Sequence, residues 1–370
     1  MTIGILKEPA SETRVSLLPE AVATLTKKGI TVLSEQGAGE RSYSQDATYV
    51  SAGAQVKSRQ EVIQQSDILL AIHPLQDSIP SSKIIIGVFQ PLFAPALMQQ
   101  WATAGITAFS LDMLPRTTRA QSMDVLSSQA NIAGYKAVLL AANSYSRYFP
   151  MFMTAAGSIA PAKMLILGAG VAGLQAIATG RRLGAVVEVF DTRPAVKEEV
   201  MSLGARFIEV DGAADASKAG GYAVEQSEDY KKKQEEKIAA SIAKADIVIT
   251  TAQIPGKKAP ILISEAMLGS MRDGSVIIDL AAATGGNTPF TRNNETVRHN
   301  GVEIIGNSNL QATMPSDASK LYGKNMLNFL QLIITKEGAI SLNWEDDLVK
   351  GACITHDGQV VNERVKQSNQ

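Results

Sequence analysis

The stretch KMLILGAGVAGLQAIATGRRLGAVVEVFDTR, residues 163–193, constrains this chain more than any other. Met164 to Leu167 read as a short buried strand. Gly168, Gly170 and Gly173 then form G-x-G-x-x-G where a strand should turn into a helix. Leu174 to Leu183 carry apolar residues at helical spacing, Val186 to Phe190 make a second strand, and Asp191 stands at its end. Each part has a physical task. Gly168 permits a tight turn, Gly170 lets a pyrophosphate approach the backbone, and Gly173 lets helix and strand pack closely. The pyrophosphate sits on the N–H groups and positive dipole end of the helix. The Asp191 carboxylate is placed to accept hydrogen bonds from an adenosine ribose. Three glycines alone mark ordinary turns as often as ligand sites. Strand, glycines, helix, strand and acid in this order predict dinucleotide binding.

The chain around this motif is too long for one typical core at 370 residues, so two domains are expected. With 45% hydrophobic and 19% charged residues it has the composition of a globular protein. Lys and Arg number 35 against 36 Asp and Glu, a net charge of −1, so no global attraction draws it to nucleic acid or an anionic membrane. The single cysteine, Cys353, has no internal partner for a disulfide, which fits a reducing cytosol. The N-terminus reaches charge at Lys7 and lacks the apolar core of a signal peptide. The most apolar segment, residues 159–179, contains Lys163 and four glycines or prolines, and reads as strand, turn and helix rather than a membrane span. No direct membrane insertion is expected.

The first third alternates short apolar runs (Ile3–Leu6, Thr31–Leu33, Ile68–Ile72, Lys83–Phe89 and Ile106–Phe109) with helical patterns such as Pro19–Lys28 and Ala94–Ala104. That rhythm predicts an α/β layout with a mostly parallel sheet. Residues 115–128, PRTTRAQSMDVLSS, break it as a polar loop, and a long helix is expected over Ala130–Phe149. A second α/β unit follows, with strands at Met164–Leu167, Val186–Phe190, Arg206–Glu209, Asp246–Thr250, Ser275–Leu280 and Val302–Ile305. Asp211 to Lys237 is a long charged insertion, read either as a solvated loop with an exposed helix or as a mobile flap. A helix over Ser319–Ile333 and strand-like runs at Ala339–Trp344 and Cys353–Thr355 close the chain. The expected organisation is a discontinuous first domain, 1–127 with 312–370, and a nucleotide domain, 128–311.

Four segments carry a resemblance: RAQSMDVLSSQANIAGYKAV (119–138), GAGVAGLQAIATGRRLGAVVEVFDTR (168–193), TTAQIPGKKAPILI (250–263) and GSVIIDLAAATGGN (274–287). Together they resemble the NAD(H)-binding component of the proton-translocating nicotinamide nucleotide transhydrogenases, over nearly the whole chain. That family is itself similar to alanine dehydrogenase, and the opening GILKEPASETRVSLLPE suits both. The resemblance implies two Rossmann-like α/β domains, each a mostly parallel doubly wound sheet, with a nucleotide cleft between them. It implies that Arg116, Gln121 and Asp124 sit beside the nicotinamide, with Ser127 near the carboxamide. An arginine and an amide suit this task, because both fix a carboxamide by directed hydrogen bonds, and Asp124 would orient Arg116. It further implies that Val171 lies beside the dinucleotide and that Asp191, Thr192 and Arg193 lie at the adenosine ribose. Gly221 and Tyr222 match the family's mobile loop. Gln234 and Gln253 match positions that approach NAD, although the family usually has an apolar residue near 253. Tyr135 matches a tyrosine near the nucleotide, where a core role is equally open. An acid at position 191 repels a 2′-phosphate, so NAD(H) is expected over NADP(H), although Arg193 is a residue type that also serves such a phosphate.

Two enzymatic readings then compete. An amino-acid dehydrogenase of the alanine type needs a carboxylate clamp and acid–base groups, in that family an Arg, a Lys and a His, with an Asp near the nicotinamide. Arg14 is present. Residues 67–75 (DILLAIHPL) have no lysine, residues 87–94 (GVFQPLFA) have no histidine, and Ala283 stands where an acid is expected. Direct hydride transfer between two nicotinamides needs no such groups, because no side chain exchanges a proton at the reacting carbon. Transhydrogenation is therefore the expected activity. The family resemblance adds NADP(H) on a partner component, membrane-spanning partner subunits that couple transfer to proton movement, a homodimer, and a cytoplasmic location on the inner face of a bacterial membrane. A non-enzymatic NAD-binding protein is the third reading. No His, Cys or acid cluster has metal-ligand spacing.

Overall fold

The computed structural model describes residues 1–214 and 226–368. Its first strands are β1 (Thr2–Ile5), β2 (Thr31–Glu35), β3 (Gln55–Lys57), β4 (Ile68–Leu70), β5 (Ile84–Gly87) and β6 (Thr107–Ser110). A hairpin of β7 (Phe152–Thr154) and β8 (Gly157–Ile159) comes next. Then follow β9 (Lys163–Leu167), β10 (Val186–Phe190), β11 (Arg206–Phe207), β12 (Ile247–Thr250) and β13 (Val276–Asp279). The last are β14 (Glu295–His299), β15 (Val302–Gly306), β16 (Cys353–His356) and β17 (Gln359–Val360). The chain divides into two compact units, Met1–Gln129 with Ala312–Gln370, and Ala130–Gln311.

The first unit is built on an eight-stranded sheet of order β17-β16-β6-β5-β4-β1-β2-β3, with β16 and β17 antiparallel at one edge. The second has a seven-stranded sheet of order β11-β10-β9-β12-β13-β15-β14, with only β14 antiparallel. Counted within each unit, the six parallel strands run 3-2-1-4-5-6, the doubly wound order of Rossmann-like folds. In that order the chain leaves the first strand in one direction and returns to its other side later. The carboxyl ends of the two strands on either side of the reversal therefore flank a crevice. The switch points are β1/β4 in the first unit and β9/β12 in the second.

Strands covered on both faces read as near-continuous apolar runs. β4, β5, β12 and β13 are fully buried along their length. Alternate residues enter separate cores. Ile68, Leu70, Ile84 and Ile86 join one cluster while Leu69 and Ile85 join another. In the second unit Ile166, Val189 and Ile249 face one way, and Leu165, Leu167 and Val248 the other. The period of two along a strand thus gives each sheet two hydrophobic layers.

The helix expected over Ala130–Phe149 runs instead over Val125–Ser144. Its early start has a local cause: the Asp124 carboxylate accepts from Ser127 N at 2.9 Å and from the Ser127 hydroxyl at 2.5 Å, an N-terminal cap. Ala339–Trp344 forms no strand. It folds back on the preceding helix end through a bridge from Ile340 to Ile334, closed by Thr335 N donating to Ala339 O at 2.8 Å. β14 and the β7–β8 hairpin were not expected. Neither carries the apolar run or alternation of a buried strand, and every residue of the hairpin is exposed.

Candidate functional site

The glycine turn follows β9, and its geometry matches the three tasks. Gly168 has φ +108°, where an L side chain is strained, and a Cβ there would lie 2.4 Å from Thr251 Oγ1. A Cβ at Gly173 would lie 2.0 Å from Gly168 O, so only hydrogen lets the helix Val171–Arg182 start this close to the strand. A Cβ at Gly170 would meet nothing within 4 Å: the space beside this backbone is open. Val171, next in the chain, is 38% exposed. The Thr251 hydroxyl donates to Gly168 O at 3.1 Å and ties the turn to the end of β12 across the switch point.

Asp191 ends β10 and is nearly buried. One of its oxygens accepts from Ala169 N, inside the glycine turn, at 2.7 Å, and from Arg193 Nη2 at 2.8 Å. The other accepts from Arg193 N and Nε at 2.8 and 2.9 Å. The acid is thus fixed relative to the turn and paired with its own neighbour Arg193. Hydrogen bonding to Asp191 raises the Arg193 pKa further, against the opposing effect of burial. Burial, with the Asp191 charge, also lifts the Tyr230 hydroxyl, on the helix Glu228–Ile242. Gln234 is half-buried on that helix. Gln253 is exposed, with its amide nitrogen donating to Leu280 O at 2.8 Å. Thr192 is half-buried, and Tyr135 is 36% exposed on its helix, so it is not a core residue. Gly221 and Tyr222 lie outside the described residues.

In the first unit the polar segment after β6 is a short 3₁₀ helix, Thr118–Met123, leading into the Asp124 cap. It is anchored from beneath. Asn325 and Asn328, on the helix Pro315–Ile333, donate to Ser122 O at 2.8 and 2.9 Å, and the Ser128 hydroxyl donates to Asn325 Oδ1 at 2.7 Å. Arg119 grips Asp346 and Asp347. Ala120 and Met123 are buried, while Arg116 and Gln121 are exposed. The segment is a held platform that presents a guanidinium and an amide to its surroundings. The structure brings Asp124 and Ser127 together. Nothing in the sequence pattern singled out Asn325, Asn328 or Asp346, because polar residues on a helix face and in a turn have many uses.

Comparison with known proteins accords with this geometry. The family described as alanine dehydrogenase/PNT matches with both of its domains, the N-terminal one over residues 4–133 and the C-terminal one over 137–363. The chain belongs to the alanine dehydrogenase/PNT family. It is 43% identical over 377 residues to the first portion of the NAD(P) transhydrogenase alpha subunit of Rickettsia prowazekii, covering 99% of this chain and 98% of that one. A solved transhydrogenase from Sinorhizobium meliloti superposes with a TM-score of 0.89 at 43% identity, over 98% of this chain and all of the other. An L-alanine dehydrogenase structure superposes at 0.82 with 25% identity, over 100% and 99% of the two chains.

The switch point of the first unit holds a different set of side chains. Glu8, Glu12 and Arg14, which follow β1, are all buried. Arg14 donates from Nε and Nη2 to the two Glu12 oxygens at 2.9 and 2.7 Å, and from Nη1 to Gln129 Oε1 at 2.8 Å. His73, just past β4, sets Nε2 2.7 Å from Glu12 Oε2. Burial alone pushes the Glu12 carboxyl up, but the bonds from Arg14 and His73 outweigh it and hold it far below the usual range. Glu8 goes the other way. Burial raises it, and the amides of Ile72 and His73 that it accepts offset only part of that rise. Sequence reading found Arg14 but not this cluster, because His73 lies sixty-one residues from Glu12 and fits no motif. Cys353 is buried, and burial pushes its thiol up to about 12, so it carries no thiolate chemistry.

Proposed function

We propose that this chain is the NAD(H)-binding subunit of a proton-translocating NAD(P)⁺ transhydrogenase, which catalyses NADH + NADP⁺ ⇌ NAD⁺ + NADPH together with partner subunits. The observation that carries the reading is the glycine turn: open at Gly170, closed at Gly168 and Gly173, and hydrogen-bonded through Ala169 to the acid Asp191. The identity of 43% over the full chain to proteins named as transhydrogenase alpha subunits supports the choice of reaction. When bound, NADH supplies the hydride, which passes directly to the nicotinamide ring of NADP⁺.

On this reading the chain's own residues do three things. The N-terminus of the helix Val171–Arg182, with Gly170 and Val171, holds the pyrophosphate. Asp191, with Thr192 and Arg193, takes the adenosine ribose and disfavours a 2′-phosphate. Arg116 and Gln121 orient the dihydronicotinamide from the platform that the Asp124–Ser127 cap and Asn325 support. Catalysis is then positioning and exclusion of water, with no acid or base on this chain. Ala283 in place of an acid, and Arg14 engaged by a buried glutamate, favour this over an amino-acid dehydrogenase. NADP(H) is carried by a partner component, membrane-spanning partners supply the proton path, and through them this chain sits on the inner face of the bacterial membrane. Among the described residues no helix of this chain is long and apolar enough to cross a membrane. A homodimer is supported by the exposed hairpin. Met153 is 76% exposed and Phe152 42%, and a lone two-stranded hairpin is marginal without cover.

Calorimetry with NADH and NADPH tests the cofactor. We expect NADH to bind at least about tenfold tighter, a difference of roughly 1.4 kcal/mol. Equal affinities overturn the assignment. Reduction of NADP⁺ by NADH with an added NADP(H)-binding component, and no oxidation of alanine by NAD⁺, complete the expected pattern. Turnover of alanine by the chain alone restores the dehydrogenase reading.

A further inference from the structure

Two neighbouring loops of the second unit follow β12 and β13: residues 251–263, next to the glycine turn, and residues 280–291 beyond them. Ala259 N donates to Thr284 O at 2.9 Å between them, and a buried residue makes most of the other bonds that join them. Asn287 is fully buried and uses every polar atom it has. Its side-chain oxygen accepts from Ala252 N at 3.2 Å, and its side-chain nitrogen donates to Ala252 O at 2.9 Å and Pro260 O at 2.8 Å. Its backbone carbonyl accepts from Leu262 N and Ile263 N at 2.9 and 3.1 Å. Its backbone N–H donates to Asp279 at 2.6 Å.

Asp279, the last residue of β13, is itself fully buried. Its oxygens accept from Ala281 N at 2.9 Å, Asn287 N at 2.6 Å and the Thr291 hydroxyl at 2.7 Å. Gly286, at φ +79°, is required here, since a Cβ would stand 2.4 Å from Thr291 Cβ and 2.8 Å from Asp279. A carboxylate is the right group for this position: it gathers three donors at once, whereas a neutral amide would turn one of its own donors toward them. The loops so fixed carry Thr251 and Gln253. Thr251 bonds the glycine turn, and Gln253 bonds back to Leu280 O.

We propose that Asp279 and Asn287 are positioning residues for the dinucleotide, holding the 251–263 loop, and with it Thr251 and Gln253, in register with the glycine turn. The inference rests on the reading of this unit as the NAD(H) site. Neither residue need touch the cofactor. Their effect runs through the loop, as a supporting shell acts on the residues that do make contact.

A double-mutant cycle on the full chain tests it, with NADH as the titrant. Asn287→Ala should raise the NADH dissociation constant about tenfold and Gln253→Ala about threefold. The double variant should bind no more weakly than Asn287→Ala alone, because a displaced loop has already withdrawn Gln253. Asn287→Ser, which keeps a small polar side chain and sets no carboxylate against the Ala252 and Pro260 carbonyls, should give an intermediate loss. It carries the same cycle if Asn287→Ala does not fold. Thr291→Val, which removes the hydroxyl bonded to Asp279 and Thr288, should lower the thermal midpoint and leave NADH affinity within about twofold. If the single losses add in the double variant, or if Asn287 variants lose stability but bind NADH as the parent does, the positioning role is wrong. If the unaltered chain does not bind NADH at all, the cofactor reading falls first and this inference with it.

Discussion

At the switch point of the second unit stand three glycines and an open stretch of backbone; at that of the first stand two glutamates, an arginine and a histidine. The strand order around both is the same. Topology therefore offers the crevice twice, and side chains decide what becomes of it. In the second unit small residues leave backbone N–H groups accessible for an anion. In the first, Glu8 takes the Ile72 and His73 amides, and Glu12 takes Arg14, so the polar groups of the crevice satisfy one another. Arg116 and Gln121 are exposed on the platform after β6, outside that knot.

The largest effect expected from this contrast is on stability. Glu12→Gln leaves the buried Arg14 guanidinium without its carboxylate. It should cost the first unit about 3–5 kcal/mol in urea unfolding while NADH affinity of the folded protein is unchanged. The pH dependence carries the same sign. The Glu12 pKa is depressed on folding, so its stabilisation is present above the unfolded value of about 4.3 and is lost as pH falls below it. The Gln variant should lose that slope, and an unaltered slope breaks the assignment. Next in size, Arg116→Ala or Gln121→Ala should slow hydride transfer in a reconstituted complex about a hundredfold, with NADH affinity within about threefold, as expected for groups that orient a reacting ring. Unchanged turnover removes the platform from the mechanism. The smallest is Gly170→Ala. Its methyl meets no protein atom, so stability should stay within about 0.5 kcal/mol, while NADH affinity should fall about tenfold. A variant that binds NADH normally would mean that the open space beside Gly170 is not where the pyrophosphate sits.

Much of the second unit was legible beforehand. Six apolar runs marked its parallel strands within a few residues, because a strand covered on both faces is mostly apolar. The glycine turn was legible because its geometry is local: a positive φ at Gly168 and a close backbone approach at Gly173 leave no residue but glycine. The edge strand Glu295–His299 was not legible, since one exposed face removes the pattern. The helix start at Val125 was missed by five residues, because a cap is set by one carboxylate rather than by periodicity. Relations between distant positions were less legible still. His73 meets Glu12, Asn325 meets Ser122, and Asn287 meets Ala252 and Pro260 through pairings that no spacing announces.

The sequence by itself determined the α/β class, the alternation of the buried strands, and the turn at Gly168–Gly173. These follow from backbone sterics and from burial of apolar faces, which act over a few residues at a time. Only the tertiary structure decided that the same strand order encloses a charged knot in one unit and an open helix N-terminus in the other. Only it assigned Asp279 and Asn287 their hydrogen bonds. A buried polar group must find partners wherever the fold supplies them, and those partners are neighbours in space rather than in sequence.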